Sequence, residues 1–267
     1  MRGFEADWLA LRAPADTAAR NPDLLDRLAD WASAKPDLSI LDLGCGTGAT
    51  LRAISPRLVC RQHWLLVDTD QDLLRRCPES HDTVEVATLQ LDLSADLDLL
   101  PSESVDLVTC SALLDLVSQD WLERVAAQFS KAALYLALTV DGRITFDPGL
   151  PEDEEVLDLV ARHHRRDKSF GPALGYEAAQ SAAQILRRIG HEVHLASADW
   201  RLGPEQSRLI CAVADGYGEA ALEQSAPQDA TAAERIRRWQ QARHDLPDQR
   251  LTVGHLDLLS LPEPRRA

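Results

Sequence analysis

Three glycines spaced two apart, Gly44, Gly46 and Gly48, follow directly on an apolar run, Leu38 to Leu43, that contains the acid Asp42. A chain that leaves a strand, turns on residues without side chains and enters a helical pattern (Ala49 to Ile54) presents bare backbone, and a cofactor can lie close against it. Trp64 to Val67 reads as a second buried strand ending in Asp68. A carboxylate about twenty residues beyond such a loop, at a strand tip, can accept hydrogen bonds from both hydroxyls of a ribose. The combination asks for a nucleoside cofactor without choosing which one. The dinucleotide pattern GxGxxG wants its third glycine where this chain has Ala49, and alanine is sometimes allowed there, so spacing alone leaves NAD open.

The run continues in the same rhythm. Val84 to Leu91 is largely β-branched and apolar and ends in Asp92-Leu93-Ser94, and Ser104 to Ser111 leads into Ala112-Leu113-Leu114-Asp115-Leu116. Taken in order, these segments resemble the motifs of the class I S-adenosylmethionine-dependent methyltransferases, whose hallmark is an acidic residue followed by GxGxG. The resemblance extends from Leu38 to Leu116. It implies an α/β fold, a Rossmann-like doubly wound sheet, mostly parallel with an antiparallel last strand and helices on both faces. It implies S-adenosylmethionine as the cofactor. It also implies a cofactor-binding set: Asp42, Gly44, Cys45, Gly46, Thr47, Gly48, Asp68, Thr69, Asp92, Leu93 and Ser111. In that set Asp92 accepts a hydrogen bond from the adenine amino group, and the following backbone N–H, that of Leu93, meets a ring nitrogen. Relatives often carry a His-His-Leu-like turn after the fourth strand; here the turn carries Asp115.

Transfer of a methyl group from a sulfonium is an in-line displacement whose leaving group is already activated, so alignment and exclusion of water matter most. A general base is needed only when the acceptor is a hydroxyl or a protonated amine. Asp115 after the fourth strand, with His163 and His164 further on, are therefore the candidates for acid–base work. Lys168 and Phe170 are the candidates for touching the acceptor. Plainer roles exist for each: Asp115 as a residue opening a helix, and the histidines as favourable charges at a helix C-terminus. Adjacent histidines point to different faces of a helix, and the five cysteines show no metal-ligand spacing, so no metal is expected.

Composition narrows the partners. Acids outnumber bases 43 to 28 in 267 residues, for a net charge of −15. Such a surface repels a polyanion, so nucleic acid is not expected as substrate. Two short basic stretches, Arg162 to Lys168 and Arg235 to Arg243, suit a small anionic substrate or solvated helix faces. No apolar run approaches the ~20 residues of a membrane span. Met1 to Arg20 lacks the pattern of a secretory signal, and a reducing cytoplasm is the simplest location. The expected partner is a small polar methyl acceptor. Two other classes compete: an NAD-dependent oxidoreductase, for which no YxxxK arrangement exists among three tyrosines, and a non-catalytic methyltransferase-like protein that binds S-adenosylmethionine or a partner.

The elements that must hold these residues are legible in outline. Asn21-Pro22-Asp23 has the cap, proline and acid of a helix start. After a fifth strand, Ala132 to Val140, the Asp141-Gly142 pair predicts a turn and Arg143 to Phe146 a separate short strand. Helices are expected over Pro151 to Arg166 and Tyr176 to Ile189, the second closed by Gly190. Between them Asp167 to Gly175 has the composition of a lid. His191 to Ala196 predicts a sixth strand, Asp199-Trp200-Arg201 a turn, and Pro204 to Gln224 and Thr231 to Arg243 two helices, the latter opened by a Thr231…Glu234 capping box. Leu251 to Leu261 predicts the closing strand. The expected organisation is one domain over 1–267: N-terminal helices 1–36, core 37–147, helical insertion 151–190, and C-terminal strands and helices 191–267.

Overall fold

In the computed structural model, which describes residues 6–225 and 230–263, the first strand of the sheet runs Asp37–Leu43 (β1). Its second half is buried on both faces, so its apolar pattern is continuous rather than alternating, as a central parallel strand requires. Two helices precede it, Ala6–Ala19 (α1) and Pro22–Ser33 (α2). The α2 cap is the expected one: Asn21 accepts from the Leu24 N–H, with proline in the first turn.

From β1 the chain alternates. Ala49–Ile54 (α3), Arg61–Asp68 (β2), Gln71–Leu74 (α4), Val84–Gln90 (β3), Leu107–Ser111 (β4), Gln119–Gln128 (α5) and Ala133–Asp147 (β5) follow in turn. Next come Asp153–His164 (α6), Ala178–Arg188 (α7), His191–Ser197 (β6), Trp200–Leu202 (β7), Ser207–Gln224 (α8), Ala230–Asp245 (α9) and Arg250–Pro262 (β8). The strand order is β3-β2-β1-β4-β5-β8-β6, with β7 also paired to β8. The pairs from β3 to β5 are parallel; β8 is antiparallel to both β5 and β6. This is the doubly wound sheet with an antiparallel closing strand that the sequence predicted. Order reverses between β1 and β4, and ligands of such sheets sit in the crevice at the carboxyl ends of those strands.

One apolar cluster joins the sheet to α5 and α7; another joins it to α2 and α3. A third, built on Phe146, Trp200, Leu251 and Val253, packs α6, α8 and α9 against the far end of β5 and β8. Here α6 is tied to α9: the Arg243 guanidinium, fully buried, pairs with the Asp153 carboxylate, and Trp239 Nε1 donates to the same carboxylate at 2.7 Å.

Three expectations need correction. Arg143 to Phe146 is no separate strand; β5 runs unbroken through Asp141 and Gly142, which absorb a bulge in its pairing with β8. A second bulge at Leu138 is held by Asp257, whose carboxylate accepts the Leu138 N–H at 2.8 Å and the Tyr135 hydroxyl at 3.0 Å. Trp200 and Arg201 belong to β7 rather than to a turn, because β8 is long enough to pair with both β6 and β7. Finally, α9 already includes Ala230, so Thr231 lies within the helix and is not its cap.

Candidate active site

Four strand ends converge on one cavity of about 670 Å³ at the switch point. The glycine loop leaves β1 with Gly44, Gly46 and Gly48 all at positive φ, a conformation that favours residues without a Cβ. Gly44 and Gly46 are further restricted by space: an added Cβ would meet Leu113 at 3.0 Å and Leu9 at 3.1 Å. The loop is anchored by Asp68 at the tip of β2, whose two oxygens accept the Gly46 N–H at 2.8 Å and the Asp70 N–H at 3.0 Å. A carboxylate has about four acceptor positions, so Asp68 keeps capacity for ligand hydroxyls while holding the loop. Asp92 follows β3; its Oδ1 accepts from the Ser94 hydroxyl at 2.7 Å and the Ser94 N–H at 2.9 Å, which hold its pKa below the ordinary carboxylate range.

Gly44, Cys45, Gly46, Thr47, Asp68, Thr69, Asp92, Leu93 and Ser111 all line this cavity, together with Lys168 and Phe170. Asp42 and Gly48 do not. Gly48 turns toward Pro78 on the outer side of the loop. Asp42 lies beneath the loop with no exposed surface, its Oδ1 accepting from Thr109 Oγ1 at 2.7 Å and its Oδ2 without a hydrogen-bond partner among the described residues. Burial pushes its carboxyl up to about 7, against the opposing pull of Thr109 and the Arg20 guanidinium.

The insertion reaches this cavity from the other side. Asp167 Oδ1 accepts the N–H groups of Ser169 and Gly171, shaping a tight loop, and the Leu174 N–H donates to the Val117 carbonyl at 2.8 Å. Phe170 meets the edge of Trp121 with ring centroids 5.4 Å apart, and Trp121 Nε1 donates to the Leu93 carbonyl at 2.7 Å. A single aromatic relay therefore connects the insertion to the wall formed after β3.

Asp115, His163 and His164 are not on the cavity wall. Asp115 sits in the one-turn helix Leu114–Leu116, between the wall residues Leu113 and Leu116, and is buried. Its Oδ2 is 3.8 Å from His164 Nδ1, and the His164 ring packs on Tyr176 with centroids 4.9 Å apart. Burial pushes Asp115 up to about 6. Burial, with the neighbouring His163 and Lys168 charges, pushes His164 down to about 4. The Tyr176 hydroxyl is buried without a hydrogen-bond partner among the described residues. His163 faces elsewhere, to Glu223 at 3.2 Å and to Lys168 Nζ at 3.1 Å. Of the paired histidines only His164 therefore stands with Asp115. Among the described residues no group of His, Cys, Asp or Glu has the arrangement of a metal site.

Sequence reasoning missed the wall supplied by α1, namely Leu9, Arg12 and Asp16. Arg12 and Asp16 form an i,i+4 ion pair at 2.8 Å, and that spacing was the only available signal. Tyr176 gave none: in the sequence it only opens the helix expected over Tyr176 to Ile189.

Comparisons with known proteins bear on the domain and the fold. Residues 40–133 match the family model of a methyltransferase domain. No curated protein sequence matches the chain. Among solved structures, a cyclopropane-fatty-acyl-phospholipid synthase-like protein from Lactobacillus casei superposes with a TM-score of 0.58 at 15% identity, covering 97% of this chain and 95% of that one. The cyclopropane synthase MmaA2 from Mycobacterium tuberculosis gives 0.50 at 14% identity, over 96% and 94%. The YcgJ protein from Bacillus subtilis gives 0.50 at 16%, over 91% and 100%. At these identities the likeness is one of fold.

Proposed function

We propose that this chain, residues 40–133 of which match a methyltransferase domain, is a class I, S-adenosylmethionine-dependent methyltransferase whose acceptor is a small polar molecule bearing an anionic group, seated between Leu113, Leu116 and Phe170. What carries this reading is the placement of Lys168 on the cavity wall with buried Asp115 directly behind Leu116, inside an otherwise acidic protein. The residues suit the cofactor on two counts. The glycine loop is tight where it turns at the cavity, a Cβ on Gly44 or Gly46 standing 3.0 or 3.1 Å from a neighbouring leucine, and Asp68 on the cavity wall keeps acceptor capacity for ligand hydroxyls beyond the two N–H groups it holds. When bound, S-adenosylmethionine supplies an activated methyl group for in-line displacement.

The chain's own residues do the rest. Gly44, Gly46, Asp68, Asp92 and Leu93 bind and orient. Lys168 holds the acceptor's negative group; no carboxylate makes a hydrogen bond to its ammonium among the described residues, where its recorded partner is His163. Phe170 and the loop 165–175 exclude water, a cover limited to that stretch because α6 is pinned through Asp153 to α9. Asp115, set between the wall residues Leu113 and Leu116, takes the proton of a hydroxyl or amine acceptor through one intervening water rather than by direct contact, and His164, held neutral by burial, orients it.

Incubation of the protein with methyl-labelled S-adenosylmethionine and fractionated cell extract tests the acceptor class. Label is expected among small polar molecules. Recovery of the label chiefly in nucleic acid or lipid would overturn the proposal.

A further inference from the structure

Two cysteines that the methyl-transfer reading leaves unused meet at the glycine loop. Cys45 lies between Gly44 and Gly46, is 6% exposed and lines the cofactor cavity. Cys77 follows α4, is half-buried, and approaches the loop from outside: a Cβ on Gly48 would stand 3.7 Å from its sulfur. Both thiols converge on one atom, the Gly46 carbonyl oxygen, 3.6 Å from Cys45 Sγ and 3.5 Å from Cys77 Sγ. The remaining cysteines, Cys60, Cys110 and Cys211, have no such neighbour among the described residues.

We propose that Cys45 and Cys77 form a dithiol site that hydroperoxides oxidise to a disulfide, and that this bond closes the cofactor pocket. The two thiols differ in the way the reaction needs. Cys77 is the more accessible, and the neighbouring Cys45 thiol makes it the more acidic; Cys45 is the more buried and the harder to ionise, because of its interaction with Cys77 and its burial. The Cys77 thiolate attacks the outer oxygen of the hydroperoxide, the O–O bond breaks, and an alcohol (water, for hydrogen peroxide) leaves with the proton. The resulting sulfenic acid is attacked by Cys45, which loses its proton, and water departs. Two thiols and one hydroperoxide give one disulfide, one alcohol and one water, so two electrons pass from sulfur to oxygen.

The structural consequence follows from where the bond falls. An S–S bond of about 2.05 Å draws Cys45 toward the outside of the loop. Both sulfurs then lose their hydrogens and leave the Gly46 carbonyl, while Asp68 still grips the Gly46 N–H. The segment that must accept the cofactor is thereby pulled away from the geometry Asp68 sets. Occupation of the cavity should conversely shield Cys45.

The test uses the full chain, reduced and then treated with hydrogen peroxide, with S-adenosylhomocysteine titrated calorimetrically before and after. Peptide mass spectrometry should find Cys45 joined to Cys77. Affinity for S-adenosylhomocysteine should fall at least about tenfold and return with dithiothreitol. Saturation with S-adenosylhomocysteine should slow the oxidation. Cys77→Ser, which removes no cavity-lining residue, should bind as the reduced protein does and lose its sensitivity to peroxide. No Cys45–Cys77 bond, a bond without loss of affinity, or equal sensitivity in Cys77→Ser would each overturn the proposal. Failure of the reduced protein to bind S-adenosylhomocysteine at all would instead strike at the cofactor, and the mass spectrum would still decide whether the disulfide forms.

Discussion

Replacing Asp42 by Asn should change how stability depends on pH, and by an amount the structure sets. The wild-type carboxyl has no exposed surface and is pushed up from 3.8 to about 7, mainly by burial. A group raised in the folded state contributes its stability fully below its unfolded value, and that contribution is lost as pH rises through the folded one. Between pH 5 and about 7 the folded chain keeps a proton that the unfolded chain has already released. Over those ~2 pH units, at ~1.36 kcal/mol each, the wild type should lose ~2.7 kcal/mol from this residue. Asn does not titrate and keeps the acceptor that Thr109 uses at 2.7 Å. Urea unfolding of the ligand-free wild type and Asp42→Asn at pH 5 and pH 8 reads the effect. The difference between the two proteins should move in favour of the variant by up to ~2.7 kcal/mol on going to pH 8. Asp115 and Asp257 are also raised by burial, but both are present in each protein and cancel. A difference that stays constant between the two pH values would refute the argument that Asp42 ionises at a cost beneath the loop.

Other residues should respond in distinct ways. Asp68→Ala removes a charged acceptor and frees the Gly46 N–H; at ~1.5–3 kcal/mol for a hydrogen bond to a charged group, calorimetry should show S-adenosylmethionine bound at least about tenfold more weakly. Asp115→Asn should cut kcat by ~100-fold or more with little change in cofactor affinity, and wild-type kcat/KM should fall as pH drops below about 6, where Asp115 gains its proton; a flat profile across that range would remove Asp115 as base. Arg243→Met leaves Asp153 without its buried partner and should cost ~3–5 kcal/mol in thermal or urea unfolding. An unchanged midpoint would mean that α6 is not anchored through this pair.

The half of the fold that binds the cofactor was legible because its constraints are local. A tight turn needs glycine at fixed positions, a strand buried on both faces needs a continuous apolar run, and Asp68 and Asp92 fall at strand tips whatever the rest of the chain does. The far side was less legible, because long-range pairing decided it. Arg143 to Phe146 looks like a new strand, yet β8 is long enough to hold β5 together across its bulges. Trp200 and Arg201 look like a turn until the same strand pairs with them. Asp115 was visible as a departure from the family pattern, but its neighbours His164 and Tyr176 come from elements separated from it by about fifty residues or more of chain, and no periodicity links them. The wall from α1 is similar: Arg12 shows itself in sequence only as half of an ordinary helical ion pair.

The central claim is that the crevice between β1 and β4 binds S-adenosylmethionine and not a nicotinamide dinucleotide. Calorimetric titration of the reduced, full-length wild type with S-adenosylmethionine, S-adenosylhomocysteine and NAD tests it most directly. Saturable binding of the first two at one site, with no measurable heat from NAD, is the result this structure predicts. Preference for NAD, or failure of the protein to bind either sulfur compound, would contradict it.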